Sequence, residues 1–190
     1  MNQEQIQIIN ALKTVTECKE LEDKAKSQGN LILAKAAHER MFELSINNLK
    51  NEKECESFAK NAKKLNRPDL VKAVNRKSID LFLKIYPGYS ELREVETECL
   101  KAVYAYEKIL HSKNRKRIRA TYTWRSIKDH GIIGGIDRIV SKSAETIGFN
   151  HLSEIGLTDY SFEAIVLKYP DSFTGKALNQ AQKRMGIEVH

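Results

Sequence analysis

Long apolar runs, cysteine pairs and turn-forming residues are all scarce in this chain. No window approaches the roughly 18 consecutive apolar residues of a transmembrane helix, so the sequence predicts no membrane span. The polar residues 1–5 lack the basic and apolar regions of a signal peptide, and we therefore expect a soluble protein of the cytoplasm. Three prolines and nine glycines in 190 residues exclude a collagen-like chain and favour a folded helical protein.

Patterns that would indicate a metal, a cofactor or a catalytic group are also missing. Cys18, Cys55 and Cys99 lie inside helical patterns, and no two form a CxxC pair, so we predict that they are small core residues. The five histidines do not fall at the spacing of a metal site, and neither a phosphate-binding glycine loop nor a Gly-x-Ser-x-Gly elbow occurs. The sequence therefore predicts no metal and no cofactor, and it leaves open whether the chain is an enzyme.

An internal repeat occupies the first half of the chain. An offset of 37 residues places Cys18 on Cys55, Leu33 on Leu70 and Lys35 on Lys72 without gaps. Each copy carries apolar or small residues at helical spacing, and a turn is expected at 28–30 and again at 66–69. The period is typical of helical repeats, so we predict two copies of one helical hairpin.

Further helices are expected after the repeats. A long helix over 90–112, with Ser90 as its N-cap, is predicted to pack on the repeats, and short helices are predicted at 145–155, 162–169 and 175–185. The fold class is therefore all-α. We predict two domains, a helical-hairpin repeat array with a long capping helix over 1–112 and a small helical module over 113–190.

The positive charge of the chain is concentrated in one region. Residues 101–142 contain eleven Lys and Arg against three Asp and Glu, a net charge of +8, whereas the whole chain carries +7. A basic excess confined to about a fifth of the chain produces a local field that attracts polyanions.

Within that region, residues 113–128 combine cations, hydroxyls and aromatic rings. A helix is predicted from Ala120 to a stop at Gly131, with Ala120, Trp124 and Ile127 on its inner face. A turn over 132–135 and a short helix over 136–142 are expected to follow. Helix, glycine-containing turn and helix resemble a helix-turn-helix in outline, over about thirty residues.

These features favour DNA binding as the function. Cations contact phosphates, and polar or planar groups beside them contact bases. Duplex DNA is the favoured partner because the helix-turn-helix outline is typical of duplex-binding proteins. The predicted phosphate contacts are Lys113, Arg115, Lys116, Arg117 and Arg119, and the residues predicted to lie near a DNA groove are Thr121, Tyr122, Arg125 and Lys128.

Three alternatives remain open at this point. The basic run is also compatible with a solvated connector between helices. A scaffold is a second alternative, with the helical repeats binding a protein partner and the basic segment contacting an acidic surface. The third is a DNA-acting enzyme, a nuclease or glycosylase, in which Asp129 or Asp137 serves as acid or base.

Overall fold

The computed structural model describes residues 1–110, 119–142, 152 and 157–187, together with the backbone of 111–114. Every regular element within these residues is helical, so the predicted all-α fold is confirmed. The α-helices of this part of the chain are α1 (Gln3–Ala11), α2 (Val15–Ser27), α3 (Leu31–Asn47), α4 (Glu52–Lys64), α5 (Pro68–Lys84), α6 (Glu94–Asn114), α7 (Thr121–Val140), α8 (Phe162–Lys168) and α9 (Gly175–Arg184). Single 3-10 turns occur at Tyr89–Glu91, Thr158–Tyr160 and Pro170–Ser172. None of the described helices is long and apolar enough to cross a membrane.

The chain divides into two compact units, Met1–Ser78 and Ile79–His190, and α5 runs across the division. Helix α6, which sequence analysis grouped with the repeats, packs with the helices of the second unit. Helix α6 belongs with the second unit because its buried residues, among them Val95, Cys99 and Val103, are part of that unit's apolar core. Whether 1–112 and 113–190 act as separate domains remains a prediction.

Helices of equal length recur in the first unit. Helices α2 and α4 have 13 residues each, and α3 and α5 have 17 each. Helices α2 and α4 begin 37 residues apart, and so do α3 and α5. This distance equals the offset of the sequence repeat. That the two hairpins superimpose in space stays a prediction.

Matched polar residues begin the first helix of each pair. The Thr14 hydroxyl accepts the Glu17 backbone N–H at 3.1 Å in α2. The Asn51 side chain accepts the Glu54 backbone N–H at 3.0 Å in α4. The Glu17 and Glu54 carboxylates each accept, at 2.7 Å, the backbone N–H of the residue that precedes the cap. Both helices therefore have a side-chain acceptor for an N-terminal amide that lacks a partner inside the helix.

The turns within the two hairpins also correspond. Gly29 has φ 69° and Asn66, at the matching position, has φ 53°, so both are left-handed. Glycine and asparagine tolerate this conformation better than other residues. In the first hairpin, the backbone N–H of Asn30 donates to the Ala25 carbonyl of α2 at 2.9 Å. In the second, the backbone N–H of Arg67 donates to the Ala62 carbonyl of α4 at 3.0 Å.

Two apolar clusters stabilise the first unit. The first joins α1, α2 and α3 through the buried residues Ile9, Ala25, Leu33, Ala34 and Ala37. The second lies around Ile46, Ala62 and Leu70. Both clusters contain buried alanines, which are Ala25, Ala34 and Ala37 in the first and Ala62 in the second.

The start of α6 differs from its prediction. The helix begins at Glu94, so Ser90 is not its N-cap. Gly88, with φ 73°, leads into the 3-10 turn Tyr89–Glu91, and Leu92 then has an extended backbone with ψ 139°. The polar residues after Gly88 thus complete a short turn before the helix starts.

The apolar core of the second unit joins α6, α7, α8 and α9. Its buried members are Leu83, Val95, Cys99, Leu100, Ala102, Val103, Ala120, Ile127, Ile136, Ile139, Val140, Ile165, Val166, Ala177 and Ala181. Helices α8 and α9 lie where short helices were predicted, whereas the prediction for 145–155 falls almost wholly outside the described residues.

The cysteine prediction is confirmed. Cys18, Cys55 and Cys99 are buried free thiols. Burial raises the pKa of the Cys99 thiol to about 12, which keeps it protonated and unreactive at neutral pH.

Candidate nucleic-acid interface

The basic segment leads into α7, which is two helices joined at one residue. Gly131 has φ 75° and ψ 171°, a conformation outside the helical region, and residues on both sides of it are helical. Only glycine adopts this backbone without strain. The predicted helix stop at Gly131 is therefore correct, but the predicted turn over 132–135 is wrong, because those residues belong to the second helix.

Close packing explains one of the two glycines that suggested a turn, Gly135. A Cβ on Gly135 would lie 2.8 Å from the Ile127 Cα, so nothing larger than glycine fits there without movement of the backbone. The Ser126 hydroxyl donates a hydrogen bond to the Gly135 carbonyl at 3.0 Å. Gly135 thus brings the two halves of α7 into contact.

The first half of α7 presents polar side chains to solvent. Thr121, Tyr122, Arg125 and Lys128 are all exposed. In the second half, the buried residues are Gly135, Ile136, Ile139 and Val140, and Arg138 is exposed. A standard helix-turn-helix presents its second helix to the major groove of DNA. Here the predicted site residues lie on the first helix, so the arrangement departs from that motif.

Glu107 of α6 holds the start of α7. Its Oε1 accepts the Ala120 backbone N–H at 2.8 Å and the Trp124 indole N–H at 2.7 Å. Ala120 and Ile127 are buried and Trp124 is half-buried, which agrees with the inner face predicted for this helix. The carboxylate satisfies a backbone N–H that the helix itself leaves without a partner.

Two groups lie against the Trp124 ring. The Tyr86 ring is nearly parallel to it, at 17° and with 6.3 Å between centroids. The Arg119 guanidinium carbon lies 5.3 Å from the Trp124 centroid, in cation–π range. Arg119 is exposed, and the aromatic ring rather than a carboxylate orients its charged group.

These side chains line an open groove of about 870 Å³ in the second unit. Three cations, Arg119, Arg125 and Lys128, stand in its wall, with Asp129 as its acidic residue. The remaining lining residues are Tyr86, Thr121, Trp124, Ile127, Gly131 and Ile132.

The three cations of the groove lack carboxylate partners among the described residues. In that part of the chain, the side chains of Arg119, Arg125 and Lys128 form neither an ion pair nor a hydrogen bond. Some other cations of the described residues are paired with carboxylates. Arg67, for example, bonds Asp69 and Glu39 at 2.6 Å each, and these bonds raise the pKa of its guanidinium. The groove therefore holds positive charge that the described protein groups do not neutralise.

Tyr122 lies beside a further cation. The Lys142 ammonium hydrogen-bonds the Tyr122 hydroxyl and lies 4.3 Å from the centroid of its ring. Tyr122 keeps 55% of its surface exposed. Lys142 entered the sequence analysis only as part of the charge count, and the structure brings it next to a predicted site residue.

The structure locates part of the predicted site. Arg119, Thr121, Tyr122, Arg125 and Lys128 lie together at the first half of α7, and four of them line the groove. The side chains of Lys113, Arg115, Lys116 and Arg117 lie outside the described residues. Sequence analysis missed Tyr86, which lies outside the basic region, and it counted Glu107 only as one of the acids in 101–142, because the contact of Glu107 with Ala120 and Trp124 is tertiary.

The carboxylate of Asp137, one of the two acids considered for catalysis, accepts hydrogen bonds from a neighbouring helix start. It accepts the Thr174 backbone N–H at 2.6 Å and the Thr174 hydroxyl at 3.1 Å, at the start of α9. The Ser141 hydroxyl lies 3.3 Å from the same carboxylate. Asp129 is exposed in the groove.

Within the described ranges, no group of three His, Cys, Asp or Glu side chains has the arrangement of a metal site. His38 bonds Glu22 at 2.9 Å, and Lys26 bonds the other oxygen of that carboxylate at 2.5 Å. These bonds lower the pKa of Glu22, with the Lys26 contact as the largest cause.

No protein-family model, curated protein or solved structure matches the chain.

Proposed function

We propose that the protein binds DNA through the basic surface formed by the segment before α7 and by the first half of α7. In this proposal, the phosphate contacts come from Lys113, Arg115, Lys116, Arg117 and Arg119, and the groups beside the bases are Thr121, Tyr122, Arg125 and Lys128.

One observation carries the proposal. Arg119, Arg125 and Lys128 line the same groove and have no carboxylate partner among the described residues. Like charges held close together repel one another, so such a cluster is stabilised by an anion that binds to it. A nucleic-acid backbone supplies a phosphate at every nucleotide and releases counterions when it binds.

The composition of the groove supports a nucleic acid over a simple anion. Thr121 adds a hydroxyl, which in this structure donates to the Arg119 backbone carbonyl at 3.3 Å, and hydroxyls are among the groups that contact phosphates in DNA complexes. Tyr86 and Trp124 add aromatic surface. A DNA-acting enzyme has weaker support, because Asp137 already caps α9 through Thr174. That leaves Asp129 as the carboxylate of the groove.

A binding titration at several salt concentrations tests the proposal. Labelled duplex and single-stranded DNA of random sequence are titrated with the protein, and fluorescence anisotropy reports the affinity. We expect binding that weakens steeply as salt rises, since phosphate contacts release counterions. Absence of any binding below about 100 mM salt, where nonspecific basic proteins still bind, would contradict it and favour the scaffold alternative.

A further inference from the structure

The groove beside α7 combines positive charge with aromatic rings, and this combination distinguishes between forms of nucleic acid. Its volume of about 870 Å³ is within the roughly 300–1,000 Å³ of pockets that enclose small ligands. It is open to solvent along much of its surface, so both a single strand and the backbone of a duplex can approach its cations.

Cations line the groove at a spacing suited to a strand. Arg125 and Lys128 are three residues apart on one face of α7, so their side chains are neighbours on the helix surface. Both are exposed and lack carboxylate partners in the described part of the chain. The two charged groups can therefore contact the same phosphate or two successive ones.

An aromatic pair stands in the same wall. Tyr86 and Trp124 lie nearly parallel, and Arg119 packs on Trp124. Sites that bind single strands combine a basic groove for the backbone with planar side chains beside the bases. Bases of a duplex are stacked inside the helix, so only an unpaired base can reach this surface.

We propose that the groove binds an unpaired segment of a DNA strand, with phosphates at Arg125 and Lys128 and a base beside Tyr86 and Trp124. The proposal rests on the DNA binding proposed above and specifies the form of DNA. It replaces the duplex preference drawn from the helix-turn-helix outline, because the groove cations and the aromatic pair lie at the first half of α7.

Trp124 makes the test direct, because it is the chain's single tryptophan and lines the groove. The intact protein is titrated with a DNA strand that cannot pair with itself and with a hairpin duplex of the same number of nucleotides. We expect the strand to change the fluorescence emission of Trp124. The dissociation constant from this titration should equal the one measured by anisotropy. We also expect the strand to bind on the order of tenfold more tightly than the duplex, as one base–aromatic contact would supply.

Two matched double variants locate the site. Replacing Arg125 and Lys128 with Ala should reduce the steepness of the slope of log affinity against log salt by about 1.4, because each phosphate contact on a single strand contributes about 0.7 to that slope. The control replaces Arg138 and Lys176, two exposed cations of the same unit outside the groove lining, and should leave the slope unchanged.

Several outcomes would overturn this proposal while leaving DNA binding intact. They are tighter binding of the hairpin than of the strand, an unchanged Trp124 emission at saturating strand, or equal losses in the two double variants. Failure to bind either DNA at low salt would instead overturn the proposed function itself.

Discussion

The Glu107 carboxylate accepts the indole N–H of Trp124 at 2.7 Å, and with the same oxygen it accepts the Ala120 backbone N–H at 2.8 Å. One side chain of α6 thus fixes both the first residues of α7 and the aromatic ring that supports Arg119. The orientation of the groove wall depends on this acceptor.

Removing the acceptor should destabilise the protein. We expect Glu107→Ala to lower the free energy of unfolding by roughly 1–3 kcal/mol, because two N–H groups lose a charged partner. Glu107→Gln retains a carbonyl oxygen and should cost less. Urea denaturation followed by Trp124 fluorescence measures both, and equal stability of Glu107→Ala and the wild type would show that the bonds contribute nothing.

Two adjacent glycines of α7 should respond in opposite ways to alanine. A Cβ at Gly135 would lie 2.8 Å from the Ile127 backbone, so Gly135→Ala should cost about 1–3 kcal/mol through overpacking. A Cβ at Gly134 would lie 3.5 Å from the His130 Cβ, an ordinary contact. Gly134→Ala should therefore gain up to about 1 kcal/mol from helix propensity. Thermal unfolding compares them, and a Gly135→Ala protein as stable as the wild type would contradict the close packing.

Equivalent leucines of the repeats should contribute similarly to stability. Leu33 and Leu70 are both buried, and we expect Leu33→Ala and Leu70→Ala each to cost roughly 2–5 kcal/mol. Leu31, which is 71% exposed, serves as the control, and Leu31→Ala should change stability by less than about 0.5 kcal/mol. A loss as small as the control's at Leu33 or Leu70 would show that the position does not hold its hairpin together.

The salt dependence of duplex binding should count the predicted phosphate contacts. Five contacts imply a slope of log affinity against log salt of about −4 to −5. Replacing Arg115 and Arg117 with Ala should flatten it by roughly two units and weaken all sequences alike. The matched control replaces Lys19 and Lys24, exposed cations of the first unit, and should keep the wild-type slope. Equal slopes in the two variants would show that the basic segment does not contact the DNA phosphates.

Asp129 should oppose phosphate binding, because it is an acid within a basic groove. We expect Asp129→Asn to bind DNA more tightly than the wild type at low salt, since the substitution removes a like-charge repulsion. Asp171→Asn, an exposed site of the same unit outside the groove lining, controls for the change in net charge. An Asp129→Asn variant that binds more weakly would indicate that the carboxylate accepts hydrogen bonds from the DNA.

Much of the fold could be predicted because the information is local. The apolar periodicity around Cys18 and around Cys55 depends in each case on neighbouring residues of one helix, and α2 and α4 form where that pattern lies. Gly134 and Gly135 suggested a turn, since glycine weakens an isolated helix. The Ile127 backbone that requires Gly135 belongs to a tertiary contact, which the sequence pattern does not display.

The candidate site divides in the same way. Exposed cations such as Arg125 and Lys128 were identifiable from charge and helical spacing alone. Tyr86 reaches the site from the segment before α6, and Glu107 reaches it from α6. Both do so through tertiary contacts, which charge and helical spacing do not display. The groove could not be predicted from the sequence either, because it forms between Tyr86 and α7, which are distant in the chain.

The bond between Asp137 and Thr174 joins positions 37 residues apart and has a consequence for synthesis on the ribosome. Ile136, Ile139 and Val140 share their core with Ala177 and Ala181 of α9. A nascent chain that has not yet emerged past Thr174 therefore leaves part of this apolar face without its cover, and such exposed surface is prone to aggregation. We expect the second half of α7 to need protection, by the ribosome surface or a chaperone, until α9 has been made.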